Sequence, residues 1–307
     1  MTKIAVISDI HANIHALEAT IRDLQRIGTD QVIVNGDLVG RGPYSEAVLE
    51  RVQQMNWTVI RGNHEEFWAQ CGHGNLPPEW EESWWKPTRQ QIESMDPRWF
   101  DWMDTLPDSH IIRLPDVPAV QVVHGSPRKN NEGLYDNVPD ASVLEALDST
   151  PYRVVVGGHT HVPMIRTVGP YQVLNCGSVG APFNGNPSAQ YLLLHWRDHA
   201  WHFEIRCVPY DHEAALREWR ACGYLASGVA AQIFAYELET ATFHFWHYVR
   251  FCEAFELSYS LPASFNRYRR EFPAFRRYCE VNALPLHKIE SLITFRDRQA
   301  SPPPAHG

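Results

Sequence analysis

The chain lacks paired thiols. Its six cysteines, Cys71, Cys176, Cys207, Cys222, Cys252 and Cys279, are scattered and none forms a C-x-x-C pair, which excludes a zinc ribbon or a dithiol redox motif. Reduced, mostly buried thiols in a cytoplasmic protein are the expectation. Positive charge is also scarce, 27 Lys and Arg against 36 Asp and Glu, for a formal charge of −9. Such a balance does not suit a protein that lives on nucleic acid, whose phosphates are held by a surplus of Lys and Arg. No apolar stretch approaches the roughly 20 residues of a membrane span, so no membrane partner is expected. The apolar run at residues 4–7 stops at Asp9, too early for a signal peptide. There is no repeat of fixed period. The one low-complexity stretch, residues 301–307, reads as a disordered tail.

What the chain has is enough apolar material for a sizeable core, 44% of 307 residues, and a recurring pattern. Short β-branched runs end abruptly in polar residues. Residues 4–7 lead into Ser8-Asp9-Ile10-His11, 32–34 into Asn35-Gly36-Asp37, and 57–60 into Arg61-Gly62-Asn63-His64. Residues 120–123 lead into His124-Gly125, and 154–156 into Gly157-Gly158-His159-Thr160-His161. Runs of this kind read as buried strands. Helical patterns separate them, at 13–27 with a stop at Gly28 and at 45–55. The alternation implies an α/β domain with right-handed crossovers. Residues 171–174, 190–196 and 201–208 read as strands of a second, partly antiparallel sheet packed on the first. Asp211 is an N-cap for a helix to about Cys222, and about 229–255 reads as helix rich in aromatics. The expected organisation is a catalytic domain over 1–224 and a helical extension over 225–300.

In open α/β sheets, ligands gather at the carboxyl ends of strands. Every run above ends in a candidate metal ligand: Asp9 and His11, Asp37, Asn63, His124, then His159 and His161. Five chain segments would converge on one sheet edge. Carboxylate, imidazole and amide donors suit first-row divalent metals better than thiolate-seeking ones. Seven ligands exceed what one tetrahedral ion uses, so two ions are expected, one carboxylate bridging them.

The motifs Asp9-Ile10-His11, Gly36-Asp37, Gly62-Asn63-His64-Glu65, His124-Gly125 and Gly158-His159-Thr160-His161 resemble, in order, those of the calcineurin-like metallophosphoesterase superfamily. The resemblance covers about residues 1–210, including the Gly177-Ser178-Val179-Gly180 loop. It implies a four-layer α/β/β/α sandwich of two packed mixed sheets, followed here by the helical extension. It implies that Asp9, His11 and His161 hold one metal, that Asn63, His124 and His159 hold the second, and that Asp37 bridges them. His64 matches a non-ligand that assists the leaving group, and Arg41 could neutralise phosphate oxygens. The implied reaction is hydrolysis of a phosphate ester by a metal-bridging hydroxide. Mn²⁺ is the expected ion, with Fe, Zn²⁺, Ni²⁺ or Co²⁺ as alternatives.

Two departures refine the resemblance. The protein-phosphatase form G-D-x-x-D-R-G is replaced by Gly36-Asp37-Leu38-Val39-Gly40-Arg41-Gly42. This moves the chain toward a small bacterial and archaeal branch of phosphodiesterases and diadenosine tetraphosphatases. Cys176 stands where that branch has proline. Small phosphodiesters, nucleotides included, are the expected substrates, with dinucleoside polyphosphates or phosphomonoesters as alternatives. A non-catalytic scaffold and a nuclease on the same fold are the rivals. Histidines outside the motifs (His15, His73, His195, His199, His202, His244, His247) read as structural. The tryptophans at 68, 80, 84, 85, 99 and 102 read mainly as packing, with at most one reaching a substrate. The helical extension reads as a homo-oligomer surface or a cover.

Overall fold

The structure, a computed structural model, describes residues 2–77, 83–286 and 288–300. Strands β1 (Thr2–Ile7), β2 (Gln31–Asn35) and β3 (Thr58–Ile60) run parallel. They alternate with helices α1 (Ile14–Ile27), α2 (Ser45–Gln54) and α3 (Asn63–Gly72), then α4 (Lys86–Ser94) and α5 (Arg98–Thr105). The second sheet is built from β4 (Ser109–Ile112), β5 (Val120–Val123), β6 (Val154–Gly157), β7 (Met164–Val168) and β8 (Tyr171–Asn175), with α6 (Asp140–Ala146) between β5 and β6. Strands β9 (Ala189–Arg197) and β10 (Ala200–Val208) return to the first sheet. The strand orders are β10-β9-β1-β2-β3 and β4-β5-β6-β8-β7. Both sheets are mixed: β9 and β10 add antiparallel strands to one side of the parallel β1-β2-β3 set, and antiparallel β4 and β7 flank the parallel β5-β6-β8 set.

The two-residue period of the strands assigns each side chain a layer. Ile4 and Val6 of β1 meet Val154 and Val156 of β6 in the core between the sheets. Ala5 and Ile7 point the other way, against α1 and α2. Val155 and Val173 face away from the interior of the sandwich, onto α6. The expected α/β/β/α order of layers is therefore the observed one. Asn13 caps α1 through a bond from Ala16 N–H (3.2 Å), and Gly28 ends it in the left-handed region at φ 66°. Cys71, Cys176, Cys252 and Cys279 are buried and free, while Cys207 and Cys222 are exposed. No helix among the described residues is long and apolar enough to cross a membrane.

Helices α7 (His212–Ala221), α8 (Val229–Thr240), α9 (Phe245–Ala254), α10 (Pro262–Val281) and α11 (Ile289–Ala300) follow. They share an aromatic core that includes Trp219, Tyr248, Phe251, Tyr268 and Phe275. Asp211 caps α7 by accepting from Ala214 N–H at 2.8 Å, as its sequence position implies. The continuous helix expected over 229–255 is broken. Ala241 adopts φ 47°, and the Glu237 carboxylate accepts from His244 and Phe245 N–H at 2.8 and 2.9 Å. That carboxylate satisfies the first free N–H groups of a new helix, so the chain turns and restarts. Trp68 and Trp99 are packing residues in the first core, and Trp84 joins the extension's core. Trp80 and the tail at 301–307 lie outside the described residues.

His244 has the structural role read from the sequence: it is buried and bonded to Tyr268 Oη (2.7 Å) and Thr240 Oγ1 (2.9 Å). Burial, then the charges of His247, Arg276 and Arg269, lower its pKa from 6.5 to about 3. The fold holds the neutral imidazole, so this contribution to stability is complete above pH 6.5 and declines as pH falls from 6.5 toward 3. At about 1.4 kcal/mol per pH unit, roughly 2 kcal/mol is expected to be lost between pH 6.5 and 5. Urea unfolding at the two pH values measures it. His244→Gln should flatten the difference by that amount, and an unchanged difference would assign it to other groups.

Candidate metal centre

The parallel strands of both sheets end at one edge, and all seven motif residues meet there. Asp9, His11, Asp37 and His161 bring one ligand atom each within 4.8 Å of one another, as do Asp37, His124 and His159. Asp37 belongs to both groups. Asn63 Oδ1 lies 3.1 Å from His124 Nε2 and 2.8 Å from His159 Nδ1, which adds it to the second. His64 sits beside them, its ring 4.7 Å from that of His11.

The backbone is bent to achieve this. Asp9, His11, Asp37, His159 and His161 all have φ between 47° and 63°. Such values cost about 1–3 kcal/mol each outside glycine, though Asp and His tolerate them best. Neighbouring loops hold the bends in place. Asp9 N–H donates to Gly36 O (3.0 Å), His11 N–H to Asp37 O (3.0 Å) and Gly180 N–H to Asp9 O (3.0 Å). A Cβ on Gly180 would lie 1.7 Å from Ile10 O, so the Gly177-Ser178-Val179-Gly180 loop can close over the turn only with glycine there.

The electrostatics call for a cation. His11 Nδ1–H donates to Val39 O (3.1 Å) and His161 Nδ1–H to Ala181 O (2.5 Å). In a neutral ring of this tautomer Nε2 is bare, and the two Nε2 atoms are 3.1 Å apart. Burial, followed by the His64 and His161 charges, holds His11 well below the usual imidazole range. Asp9 Oδ1 is buried without a hydrogen-bond partner, 3.2 Å from His161 Nε2. Two Nε2 atoms and a carboxylate oxygen converging in a dry site need positive charge among them, a ring proton or a metal ion. At the other end, burial lowers the pKa of His124, but Asp37 and Asp9 outweigh it and raise it to about 10. His159 is lowered to about 4 by burial and by His124. The donor set of carboxylates, imidazoles and one amide oxygen therefore fits divalent metal ions.

Glu65, in the third motif, has a role that the resemblance does not assign. It is fully buried and its carboxylate accepts from Asp37 N–H (2.7 Å), Leu38 N–H (2.7 Å) and Gly62 N–H (2.9 Å). The Gly62-x-x-Glu65 spacing at the start of α3 was its visible signal, a helix-capping arrangement. Arg41 lines the same cavity as Asp37 and His64. Its guanidinium is ion-paired with the buried carboxylate of Glu237, so part of its charge is already answered. Cys176 sits in the core between the sheets with Sγ 3.1 Å from Gly157 O.

Residues 2–199 match the calcineurin-like phosphoesterase superfamily domain. The chain is 26% identical over 240 residues to an uncharacterized protein of Methanocaldococcus jannaschii, covering 69% of this chain and 89% of that one. It is similar in structure to a metallophosphoesterase from Sphaerobacter thermophilus, with 24% identity and a TM-score of 0.61 over 78% of this chain and 99% of that one. A hypothetical protein from Pyrococcus horikoshii gives 18% and 0.63 over 76% and 98%. The last two establish the likeness of fold.

Proposed function

Because this chain belongs to the calcineurin-like phosphoesterase superfamily, we propose that it is a metal-dependent phosphodiesterase of nucleotides or other small phosphodiesters. The observation that carries this reading is the convergence of two imidazole Nε2 atoms, 3.1 Å apart, beside a buried carboxylate. In this reading Asp9, His11 and His161 hold one divalent ion, Asn63, His124 and His159 hold another, and Asp37 serves both. Mn²⁺ is the preferred ion, and the buried free thiols suit a cytoplasmic setting.

When bound, such ions supply Lewis-acid charge to a phosphoryl group and lower the pKa of water. The chain's own residues orient and protonate. Asp37 Oδ1 accepts from His64 N–H at 2.9 Å, which fixes the start of α3 against the shared carboxylate. The His64 ring lines the cavity, with Nδ1 buried and unbonded to other protein atoms and Nε2 3.9 Å from Asp37 Oδ2. Burial lowers its pKa, and the protonated ring gives its proton to the departing oxygen and returns to neutral. Glu65 keeps the Asp37 loop from relaxing, so the ligands stay in place through the reaction.

Chelated protein reloaded with Mn²⁺ is expected to hydrolyse bis-p-nitrophenyl phosphate with kcat/KM at least about tenfold above p-nitrophenyl phosphate, and neither after chelation. A preference for the monoester would move the assignment to a phosphomonoesterase. No turnover with any reloaded divalent metal, in folded protein, would favour the scaffold reading.

A further inference from the structure

The candidate metal centre opens into a cavity of about 530 Å³. Asp37, Asn63, His64, His159 and His161 make one end of it polar. Much of the remaining wall is aromatic and comes from distant parts of the chain. Phe183 follows β8, Tyr135 follows β5, Phe234 lies on α8, and Phe243, Phe245 and Trp246 surround the start of α9. A bare phosphate would gain nothing from such a wall, which offers it few donors and excludes water. A cavity with an anion-directed end and an apolar end fits a ligand with both parts.

Resting on the phosphoesterase reading above, we infer that this cavity is a binding site for a planar aromatic group joined to the phosphate, a nucleobase or an aryl ester. The helical extension supplies its far wall. Its rings are held in place before any ligand arrives. Phe183 stacks on His161 with centroids 4.3 Å apart and planes within 3°, and lies 5.0 Å from Phe243. The Arg41 guanidinium sits 5.2 to 5.7 Å from the centroids of Phe183, Phe234 and Phe243. Glu237 pairs with Arg41 and also caps α9, which ties the aromatic wall to the loop that carries Asp37. Trp246 is 52% exposed, packed edge-on to Phe245, and offers an indole at the cavity wall. Flat rings gain most from such surroundings, by offset or edge-to-face stacking.

The test measures equilibrium binding by calorimetry to the full chain, with and without Mn²⁺. The ligands are methyl-, cyclohexyl- and phenylphosphonate, with ribose 5-phosphate and AMP as a second series. Phenylphosphonate over methyl- and cyclohexylphosphonate, or AMP over ribose 5-phosphate, should be favoured at least about tenfold. The aryl pair alone would identify an aryl ester, and the AMP pair alone a nucleobase. Trp246→Ala, at an exposed position, and Phe243→Leu should each reduce the ratio several-fold. Cyclohexylphosphonate and AMP matching phenylphosphonate and ribose 5-phosphate respectively, or ratios that persist in both variants, would overturn the inference. Unselective binding that depends on Mn²⁺ would leave the phosphoesterase reading standing while this inference falls. Selective binding indifferent to Mn²⁺ would do the reverse.

Discussion

Asp37→Asn is expected to lower Mn²⁺-dependent hydrolysis on the order of 10³-fold, the several kcal/mol that metal-borne charge contributes to such a reaction. The change is nearly isosteric, so the effect would be electrostatic. Asp37 Oδ2 lies 3.6 Å from His11 Nε2, and Oδ1 lies 3.4 Å from His124 Nε2. It is the one carboxylate common to both candidate ligand groups. Burial works against its charge, but His124 and His64 hold its pKa well below the usual carboxylate range. An amide there removes a charge from both ion sites at once. It also offers N–H where an oxygen is needed. Steady-state kinetics beside a thermal melt checks this. A loss under about tenfold in a folded variant would remove Asp37 from the shared position.

Glu65→Gln should be nearly as damaging, by another route. One carboxylate answers three buried N–H groups, two of them on the Asp37 loop. An amide can turn only one oxygen toward them, so at least one N–H would meet an NH₂. A buried donor left in that state costs roughly 1–3 kcal/mol, and the lost charge adds to it. About 2–5 kcal/mol of stability is expected to go, with activity lost because Asp37 shifts. Urea unfolding measures the first and the rate of ester hydrolysis the second. Full stability with lost activity would make Glu65 a participant in the chemistry and not a support. Unchanged behaviour in both would leave its three hydrogen bonds without consequence.

The polar edge of the fold was legible because five of the parallel strands, β1, β2, β3, β5 and β6, are short apolar runs that stop at a ligand type, and parallel strands share a carboxyl end. Asp9, Asp37, Asn63, His124 and His159 follow their strands by no more than three residues, so the chain itself fixes their convergence. Strands β4 and β7 were not legible. They are antiparallel margins, and the alternating exposure of Met164–Val168 leaves too few apolar residues to announce a strand. The break at Ala241 depends on the Glu237 carboxylate turning back onto His244 and Phe245 N–H, a tertiary choice that overrides local helix propensity. The ion pair of Arg41 was not legible because its partner, Glu237, lies 196 positions away in the chain. The aromatic wall has no local signature for the same reason. The tryptophan-rich segment stands out in the sequence, yet Trp68 and Trp99 serve the core, whereas Phe183, Phe243 and Trp246 share a cavity only after the extension folds over the site.

The histidine and aspartate cluster is expected to hold a pair of divalent ions. The most direct test is to strip the protein with chelator, reload it with excess Mn²⁺, remove the free ion and count what remains by mass spectrometry of the metal. Two ions per chain are expected from the two ligand groups that share Asp37, falling to one or none in Asp37→Asn. No more than one ion retained by the folded wild-type chain, with Mn²⁺ and with Fe, Zn²⁺, Ni²⁺ and Co²⁺ tried in turn, would contradict it.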